Sequence, residues 1–407
     1  MSLVIFFIGS LLIIEISLVF IIRKSRSSFH WLITEKDEFP EINLIALEKF
    51  INTSFDPRLG WVRKPNSSGR ENGKYGSITF NIDSNGSRMN KFNIGEPKIA
   101  AFGDSYTFCR QVEDDQTWEA HLAYEMNVAV LNYGVGNYGV DQALLRYEDM
   151  QLPESVNFVL MGFVPESICR VQSHWKHYLE FGNTFAFKPM FKFNKDRELK
   201  LLDNPIQSAK DFQNLESILP KIREVDIFYK NKFKFLQFRY PYLYTFLRSP
   251  RRHSKLVFAI AIRAFCRFFG KTFPNMENLP FALVMKENIN HAHKLYNDKN
   301  STDLLRQILR RFNAIAKKRN HIPILLVMPQ LFDLKVIKSN NLKYKTFYQN
   351  LCDEIVVIDM TELFTKGDLT SLYINDQYGG HLSSEGNSIV ARELKNKINE
   401  IMKNKDK

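Results

Sequence analysis

The sequence has few cysteines and no closely spaced cysteine pair. Its 407 residues include four cysteines, and no two of them form a C-x-x-C motif. They lie far apart in the chain, at positions Cys109, Cys169, Cys266 and Cys352. This spacing argues against a disulfide framework and against a zinc site, and it favours free thiols.

Acidic residues are missing from the stretch between Phe228 and Phe273, which is rich in lysine, arginine and aromatic residues. The whole chain carries a formal net charge of +12, which is typical of a protein with an anionic neighbour. We expect no nucleic-acid partner, because no recognisable nucleic-acid module accompanies the charge. The apolar run Leu256–Phe269 is too short to span a bilayer, so it either lies in a membrane interface or forms a core helix with a solvated basic face.

The clearest long apolar run stands at the start of the sequence, from Leu3 to Ile22. A run of about 20 apolar residues is what a bilayer requires of a helix. Glu15 is its only charged residue, and no small-residue cleavage site follows, so we expect a single-pass membrane anchor rather than a removable signal peptide. The basic residues Arg23, Lys24 and Arg26 follow the run directly, whereas no basic side chain precedes it. This difference in positive charge between the two ends favours a cytoplasmic position for the rest of the chain.

Short apolar runs alternate with helical patterns from Pro97 onward, which predicts a parallel sheet with helices on both faces. We therefore expect a three-layer α/β/α sandwich around a five-stranded parallel sheet. The alternation stops between about residues 173 and 300, a length that predicts an inserted subdomain. The predicted divisions are an anchor (1–26), a stalk and lead-in segment (27–96), the first half of the core (97–172), a basic aromatic-rich insertion (173–300) and the second half of the core (301–402).

Two distant segments carry residues suited to nucleophilic catalysis. Gly103, Asp104 and Ser105 end the first predicted core strand, where ligands of parallel sheets bind, and a helix is expected to follow. A serine needs a base to take its proton, and His381 stands in a glycine-rich loop before the last predicted helix. Asp376, a few residues upstream, could orient the imidazole.

Three blocks carry a family resemblance: "AFGDSYTF", "LNYGVGNYGVDQALLRYE" and "GGHLSSEGN". Together and in this order they resemble the SGNH/GDSL hydrolase family, and most of all its membrane-anchored members linked to the modification of cell-surface glycans. The lead-in "DPRLGWVRKPN" is similar as well. The resemblance covers Asp56 to about Gly162 and about Ile322 to Lys397, and it leaves out the insertion.

The resemblance implies Ser105 as the nucleophile and His381 as general base and then general acid. It implies Asp376 as the partner of His381, although the family usually places that acid three residues before the histidine, where this sequence has Tyr378. The alternative is that Asp376 is a turn residue and that His381 has no carboxylate partner. Supporting roles are implied for Gly103, Asp104 and Asp141.

The family's oxyanion hole is only partly present. The resemblance implies backbone donors from Ser105 and from the second block, where Asn137 stands at the family's glycine position and Gly136 precedes it. A third block should supply an asparagine side chain, but the sequence Gly162–Ser167 contains none. Either Ser167 or the Asn137 side chain substitutes, or the hole has two donors, or activity has been lost.

These observations predict a membrane-anchored serine esterase or O-acyltransferase that uses a Ser105 acyl-enzyme. Its expected substrate is an acylated, most simply acetylated, glycan or glycolipid, with membrane lipid as a further partner and with no cofactor and no metal. The alternative is a catalytically weak module that binds glycans or lipid-linked intermediates at the membrane. Trp175 and Tyr178 either stack on sugars or pack in the core.

Overall fold

The structure is a computed structural model of the chain. It describes residues 2–24, 32, 39–180, 182–270, 279–336, 342–374 and 380–405. Every statement below on contacts or on missing contacts refers to these ranges.

The centre of the fold is a five-stranded, entirely parallel sheet. Its strands, numbered along the chain, pair in the order β5-β4-β3-β1-β2. Each strand coincides with an apolar run that the sequence pattern marked, and the ends differ from the predicted ends by no more than two residues. The edge strand β5 is half-buried rather than fully buried. The strands are β1 (Pro97–Gly103), β2 (Ala129–Asn132), β3 (Phe158–Phe163), β4 (Ile322–Val327) and β5 (Val356–Asp359).

Helices cover both faces of the sheet, which confirms the predicted three-layer sandwich. On one face the helices Val140–Asp149 and Lys299–Lys318 bury apolar residues against β1, β3 and β4. On the other face Trp118–Met126 packs against the last helix, Ser384–Lys405. Smaller helices of the core are Leu44–Thr53, Asp114–Gln116, Ser167–Arg170, Leu331–Val336, Lys343–Gln349, Thr361–Lys366 and Leu369–Leu372.

The helix expected directly after Ser105 is not formed. Residues 105–112 make successive turns, and the next α-helix begins at Trp118. Cys109 and Gln111 have positive φ angles of 54° and 72°, which interrupt a right-handed helix. The buried Arg88 guanidinium from the lead-in segment also donates to the carbonyl oxygens of Phe108, Cys109 and Val112. A single buried cation therefore satisfies carbonyl groups that a helix would have paired internally.

Antiparallel two-stranded ribbons extend the core. One of them, Tyr373–Ile374 with His381–Leu382, brings the histidine loop to the carboxyl edge of the sheet. The others are Phe55–Asp56 with Gly60–Trp61, Ser68–Gly73 with Gly76–Asn81, and Met190–Phe193 with Leu199–Leu202.

The first part of the predicted insertion belongs to the main core. Trp175 is fully buried, and its ring stacks on Phe187 and on His177. Tyr178 is buried beside it. This burial answers the choice left open between sugar stacking and core packing: both rings pack in the core. Helices in this region are Lys176–Leu179, Ala209–Asn214, Leu215–Val225, Tyr229–Phe233, Lys234–Leu236, Tyr242–Arg248, Pro250–Phe268 and Leu279–Leu295.

The N-terminal helix, Ser2–Lys24, is long and apolar enough to span a membrane. Its single acid, Glu15, is buried against the insertion, where its carboxylate accepts hydrogen bonds from the backbone N–H groups of Tyr242 and Leu243. These N–H groups begin the helix Tyr242–Arg248 and have no partner within that helix. Glu15, the only charged residue of the apolar run Leu3–Ile22, therefore ties the helix to the insertion.

Replacing Glu15 with Gln is expected to loosen the insertion, because an amide has one oxygen to offer where the carboxylate accepts two N–H groups. Trypsin should then cleave the basic residues of Pro250–Phe268 faster in the purified full chain. Ser10→Ala is the matched control, since the Ser10 hydroxyl bonds only within its own helix. Equal cleavage rates in all three proteins would contradict this role of Glu15.

Candidate active site

Loops from three strands meet at the carboxyl edge of the sheet. The turn after β1 lies beside the loop after β2, because the Val135 N–H donates to the Gly103 carbonyl oxygen at 3.0 Å. The same turn lies beside β3, since the Asp104 N–H donates to the Gly162 carbonyl oxygen at 3.3 Å. Ser105 is thus placed where parallel sheets usually bind ligands.

The structure brings Ser105 and His381 together, although they are 276 positions apart in the sequence. The Ser105 Oγ lies 3.0 Å from His381 Nε2. The second ring nitrogen, Nδ1, lies 2.9 Å from Oε1 of Gln111. A hydroxyl, an imidazole and a third group that orients the imidazole form the arrangement that activates a serine nucleophile.

Gln111 fixes which nitrogen of His381 carries the proton. The Gln111 amide nitrogen donates to the Asn72 carbonyl oxygen at 3.0 Å, so its oxygen faces the imidazole. An amide oxygen only accepts, and Nδ1 must therefore be the protonated nitrogen. This leaves Nε2 with a free lone pair directed at the Ser105 hydroxyl, as a general base requires.

No sequence motif marked Gln111 as a site residue. It lies in the run of turns after Ser105, and its partner His381 comes from the other end of the chain. Its contacts depend on the long-range bonds of Arg88, which local sequence patterns do not reveal.

The predicted acid, Asp376, lies outside the described residues, as does Tyr378, so its role stays a prediction. The segment immediately after them is held in place. The Tyr106 hydroxyl donates to the Gly380 carbonyl oxygen, and its ring lies against the His381 ring with the centroids 5.2 Å apart.

The serine–histidine pair is shielded from solvent, with Ser105 5% and His381 4% exposed. Burial holds the pKa of His381 well below its ordinary value, and the nearby positive charges of Arg110 and Arg170 lower it further. The imidazole is consequently neutral well below pH 6.5, which is the protonation state of a base.

Asp104 links the serine turn to β3 and to the helix that follows β3. Its buried carboxylate accepts from the N–H of Tyr106 at 2.8 Å and from the N–H of Val164 at 3.0 Å. The Arg170 guanidinium lies 3.2 Å from the same carboxylate and also bonds to Glu166. Burial raises the pKa of Asp104, while Arg170 and the two N–H groups oppose that rise.

The predicted oxyanion donors are the backbone N–H group of Ser105 itself and two N–H groups of the loop after β2. Within the described ranges, the backbone N–H groups of Ser105, Gly136 and Asn137 make no hydrogen bond to protein. Asn137 has a φ of 70°, the left-handed geometry expected at the family's glycine position. These N–H groups therefore have no partner within the described part of the protein.

The third block offers no amide side chain. After β3 the chain continues with Val164 and Pro165, and the Val164 N–H is already bonded to Asp104. The buried Ser167 hydroxyl has no hydrogen-bond partner among the described residues. The Ser167 hydroxyl is thus unpaired, and its role as a substitute for the missing asparagine stays a prediction, as does that of the Asn137 side chain.

The two remaining supporting residues have different surroundings. A Cβ on Gly103 would lie 1.9 Å from the Gly162 carbonyl oxygen, so only glycine permits the close approach of β1 to β3 at this turn. Asp141 does not reach the serine turn. Its buried carboxylate forms an ion pair with Lys188 of the predicted insertion. In the described part of the chain Asp141 makes no hydrogen bond to Ser105. It braces the second-block loop from the side of the insertion.

In the described part of the chain, no group of three or more histidine, cysteine, aspartate or glutamate side chains is arranged to hold a metal ion. The side chains that converge at the site provide a hydroxyl, a neutral imidazole and an orienting amide. Such groups can carry out acyl transfer through a covalent serine intermediate.

Comparison with known proteins gives little support of its own. No protein-family model and no curated protein matches the chain. A solved structure from Desulfitobacterium hafniense DCB-2, described as belonging to a G-D-S-L family of lipolytic proteins, is similar over 73% of this chain and 97% of its own. The identity is 13% and the TM-score is 0.31. Likeness at this level does not establish a shared family or a shared activity.

Replacing Asp104 with Asn is expected to lower the free energy of unfolding by about 3 kcal/mol, because it removes one partner of a buried ion pair. The measurement is chemical denaturation of the full chain in neutral detergent. Glu354→Gln is the control, since Glu354 pairs with Arg310 at the surface and its loss should cost less than about 1 kcal/mol. Equal losses in the two variants would contradict the bracing role of Asp104.

Gln111 is expected to act as a positioning residue. Gln111→Ala should slow modification of Ser105 by a fluorophosphonate about tenfold or more, a part of what general-base catalysis typically contributes. Gln111→Glu should retain most of the rate at pH 8. Its carboxylate stabilises the imidazolium, so the loss of reactivity on acidification should begin at a higher pH than in the parent protein.

The rate is measured from pH 4 to pH 9. The parent should keep its reactivity below pH 6.5, because a lowered His381 pKa keeps the base neutral there. A parent profile that falls already above pH 6.5, or identical profiles for parent and Gln111→Glu, would contradict this assignment.

Proposed function

We propose that the protein is a serine esterase or an O-acyltransferase of the SGNH/GDSL type. The observation that carries this proposal is the 3.0 Å contact between Ser105 Oγ and the unprotonated Nε2 of His381. The quoted sequence blocks support the family, and the five-stranded parallel α/β/α sandwich is the fold that the resemblance implies.

In the first step His381 takes the proton from Ser105 as Oγ attacks the carbonyl carbon of an ester. The free N–H groups of Ser105, Gly136 and Asn137 are suited to hold the developing oxyanion. Removal of one such donor typically costs a factor of about 10²–10³ in kcat. The protonated imidazole then gives its proton to the leaving alcohol, and an acyl-enzyme remains on Ser105.

The second step decides between the two activities. In hydrolysis His381 takes a proton from water as the water oxygen attacks the acyl carbon, and it returns that proton to Ser105 Oγ as the bond between Oγ and the acyl carbon breaks and the acid is released. In transfer the oxygen of an acceptor hydroxyl takes the place of the water, and a new ester is released. The low exposure of the pair favours transfer, because a site that excludes water protects an acyl-enzyme from hydrolysis.

The proposed substrate is an acyl group, most simply acetyl, on a glycan or a glycolipid. Support comes from the quoted blocks and from an N-terminal helix that would keep the site near a membrane. The flanking basic residues favour a cytoplasmic site, which is part of the proposal.

The second candidate is a binding module with weak or no catalysis. It is favoured by Val164 and Pro165, which stand where the family's third block supplies an asparagine. With one donor fewer, the oxyanion would be less stabilised.

A fluorescent fluorophosphonate probe distinguishes the two candidates. The full chain in neutral detergent should be labelled, and Ser105→Ala should not be labelled. Ser383→Ala is a matched control, because Ser383 lies beside the histidine but bonds only to backbone groups. Absence of labelling in the parent protein would contradict the hypothesis that it is an esterase or a transferase. For a labelled protein, turnover of p-nitrophenyl acetate with and without a sugar acceptor separates hydrolysis from transfer.

A further inference from the structure

A large cavity lies in the insertion, away from the candidate active site. Its volume is about 600 Å³, and its walls come from the helices Pro250–Phe268 and Leu279–Leu295 and from the short helices Tyr229–Phe233 and Lys234–Leu236. None of the residues assigned to the serine site lines it. The sequence marked this region as basic and aromatic, and it left open whether the run Leu256–Phe269 lies in a membrane interface or forms a core helix.

The lining of the cavity is strongly cationic. Glu287 is the only carboxylate among the lining residues. His291 adds no charge near neutral pH, because burial, with the help of the nearby lysines, lowers its pKa to about 4. The cationic lining residues are Lys232, Arg251, Arg252, Lys255, Lys286 and Lys294.

Two of these cations are poorly compensated by the protein. Arg252 bonds through Nε to Glu287, but both of its Nη atoms are buried and have no hydrogen-bond partner in the described ranges. Lys232 is buried too, and its ammonium group donates to the neutral amide of Asn288. A buried guanidinium with unpaired N–H groups and a buried ammonium with only a neutral partner are both costly, and a bound anion would offset that cost.

The cavity also has an apolar wall, formed by Phe235, Leu236, Leu256 and Leu283. Leu256 is part of the apolar cluster that includes Ile22 of the N-terminal helix. The helix Pro250–Phe268 also exposes aromatic rings, with Phe258 66% and Phe268 84% exposed. The cation cluster therefore stands beside surfaces suited to contact hydrocarbon.

We propose that this cavity binds the phosphate group of an anionic lipid, with the lipid chains lying along its apolar wall. Phosphate fits the lining because its oxygens can accept from a guanidinium and from several ammonium groups at once. The apolar wall and the adjoining N-terminal helix favour a lipid over free phosphate. This inference goes beyond the proposed acyl-transfer activity and does not depend on Ser105.

The test measures lipid binding by the full chain in neutral detergent, with native mass spectrometry as the readout. The probes are dioleoyl phosphatidate, dioleoyl phosphatidylcholine and inorganic phosphate. Phosphatidate should bind at least tenfold more tightly than either of the others, and Ser105→Ala should bind it unchanged.

The double variant Lys255→Gln/Lys286→Gln removes one exposed cation from each helical wall, and it should weaken phosphatidate binding about tenfold. The matched control is Lys210→Gln/Lys221→Gln, which removes two exposed lysines of the insertion that lie outside the cavity. Equal weakening by both double variants would overturn the site, since it would show general electrostatic attraction. Equal affinity for inorganic phosphate and phosphatidate would overturn the lipid assignment.

Discussion

The geometry of the site depends on the hydrogen bonds and the ion pair that the Asp104 carboxylate makes. The carboxylate is buried, and it accepts from the N–H groups of Tyr106 and Val164 while it faces Arg170. The first N–H lies just after Ser105 and the second just after β3, so one side chain fixes two strand ends. Arg170 extends the link to the second block by donating to the Tyr138 carbonyl oxygen at 3.0 Å. The position of the serine hydroxyl follows from these bonds.

Burial then gives the histidine its chemical character. A charged imidazole is disfavoured in a shielded site that already holds Arg110 and Arg170 nearby. Gln111 orients the ring without adding a negative charge. An amide in this position fixes the tautomer but stabilises an imidazolium less than a carboxylate would. The site therefore stabilises the neutral imidazole of His381 more than the imidazolium that forms during the reaction.

Much of the architecture could be predicted from the sequence, because buried parallel strands are continuous apolar runs and their order limits the possible folds. The Ser105 and His381 pair could be proposed because each belongs to a sequence block with a known spacing. The turns after Ser105 could not be predicted, since they depend on Arg88, which lies well before them in the chain. Gln111 was missed for the same reason.

The contact between the N-terminal helix and the insertion could not be predicted from the sequence either. From the sequence, Glu15 was recognised only as an unfavourable charge within an apolar helix. In the structure its carboxylate accepts hydrogen bonds from the first N–H groups of the helix Tyr242–Arg248. The contact lies about 13 Å along the helix from Lys24, given a rise of 1.5 Å per residue. If the N-terminal helix spans a bilayer, part of the insertion therefore lies at membrane depth.

The central claim is that His381 is a neutral base with its proton on Nδ1 and its lone pair facing Ser105. The most direct measurement is nitrogen-15 NMR of histidine-labelled full chain, with the His381 signal assigned by comparison with His381→Ala. At pH 6 we expect a protonated Nδ1 and an unprotonated Nε2. A doubly protonated ring at that pH, or a proton on Nε2 alone, would contradict it.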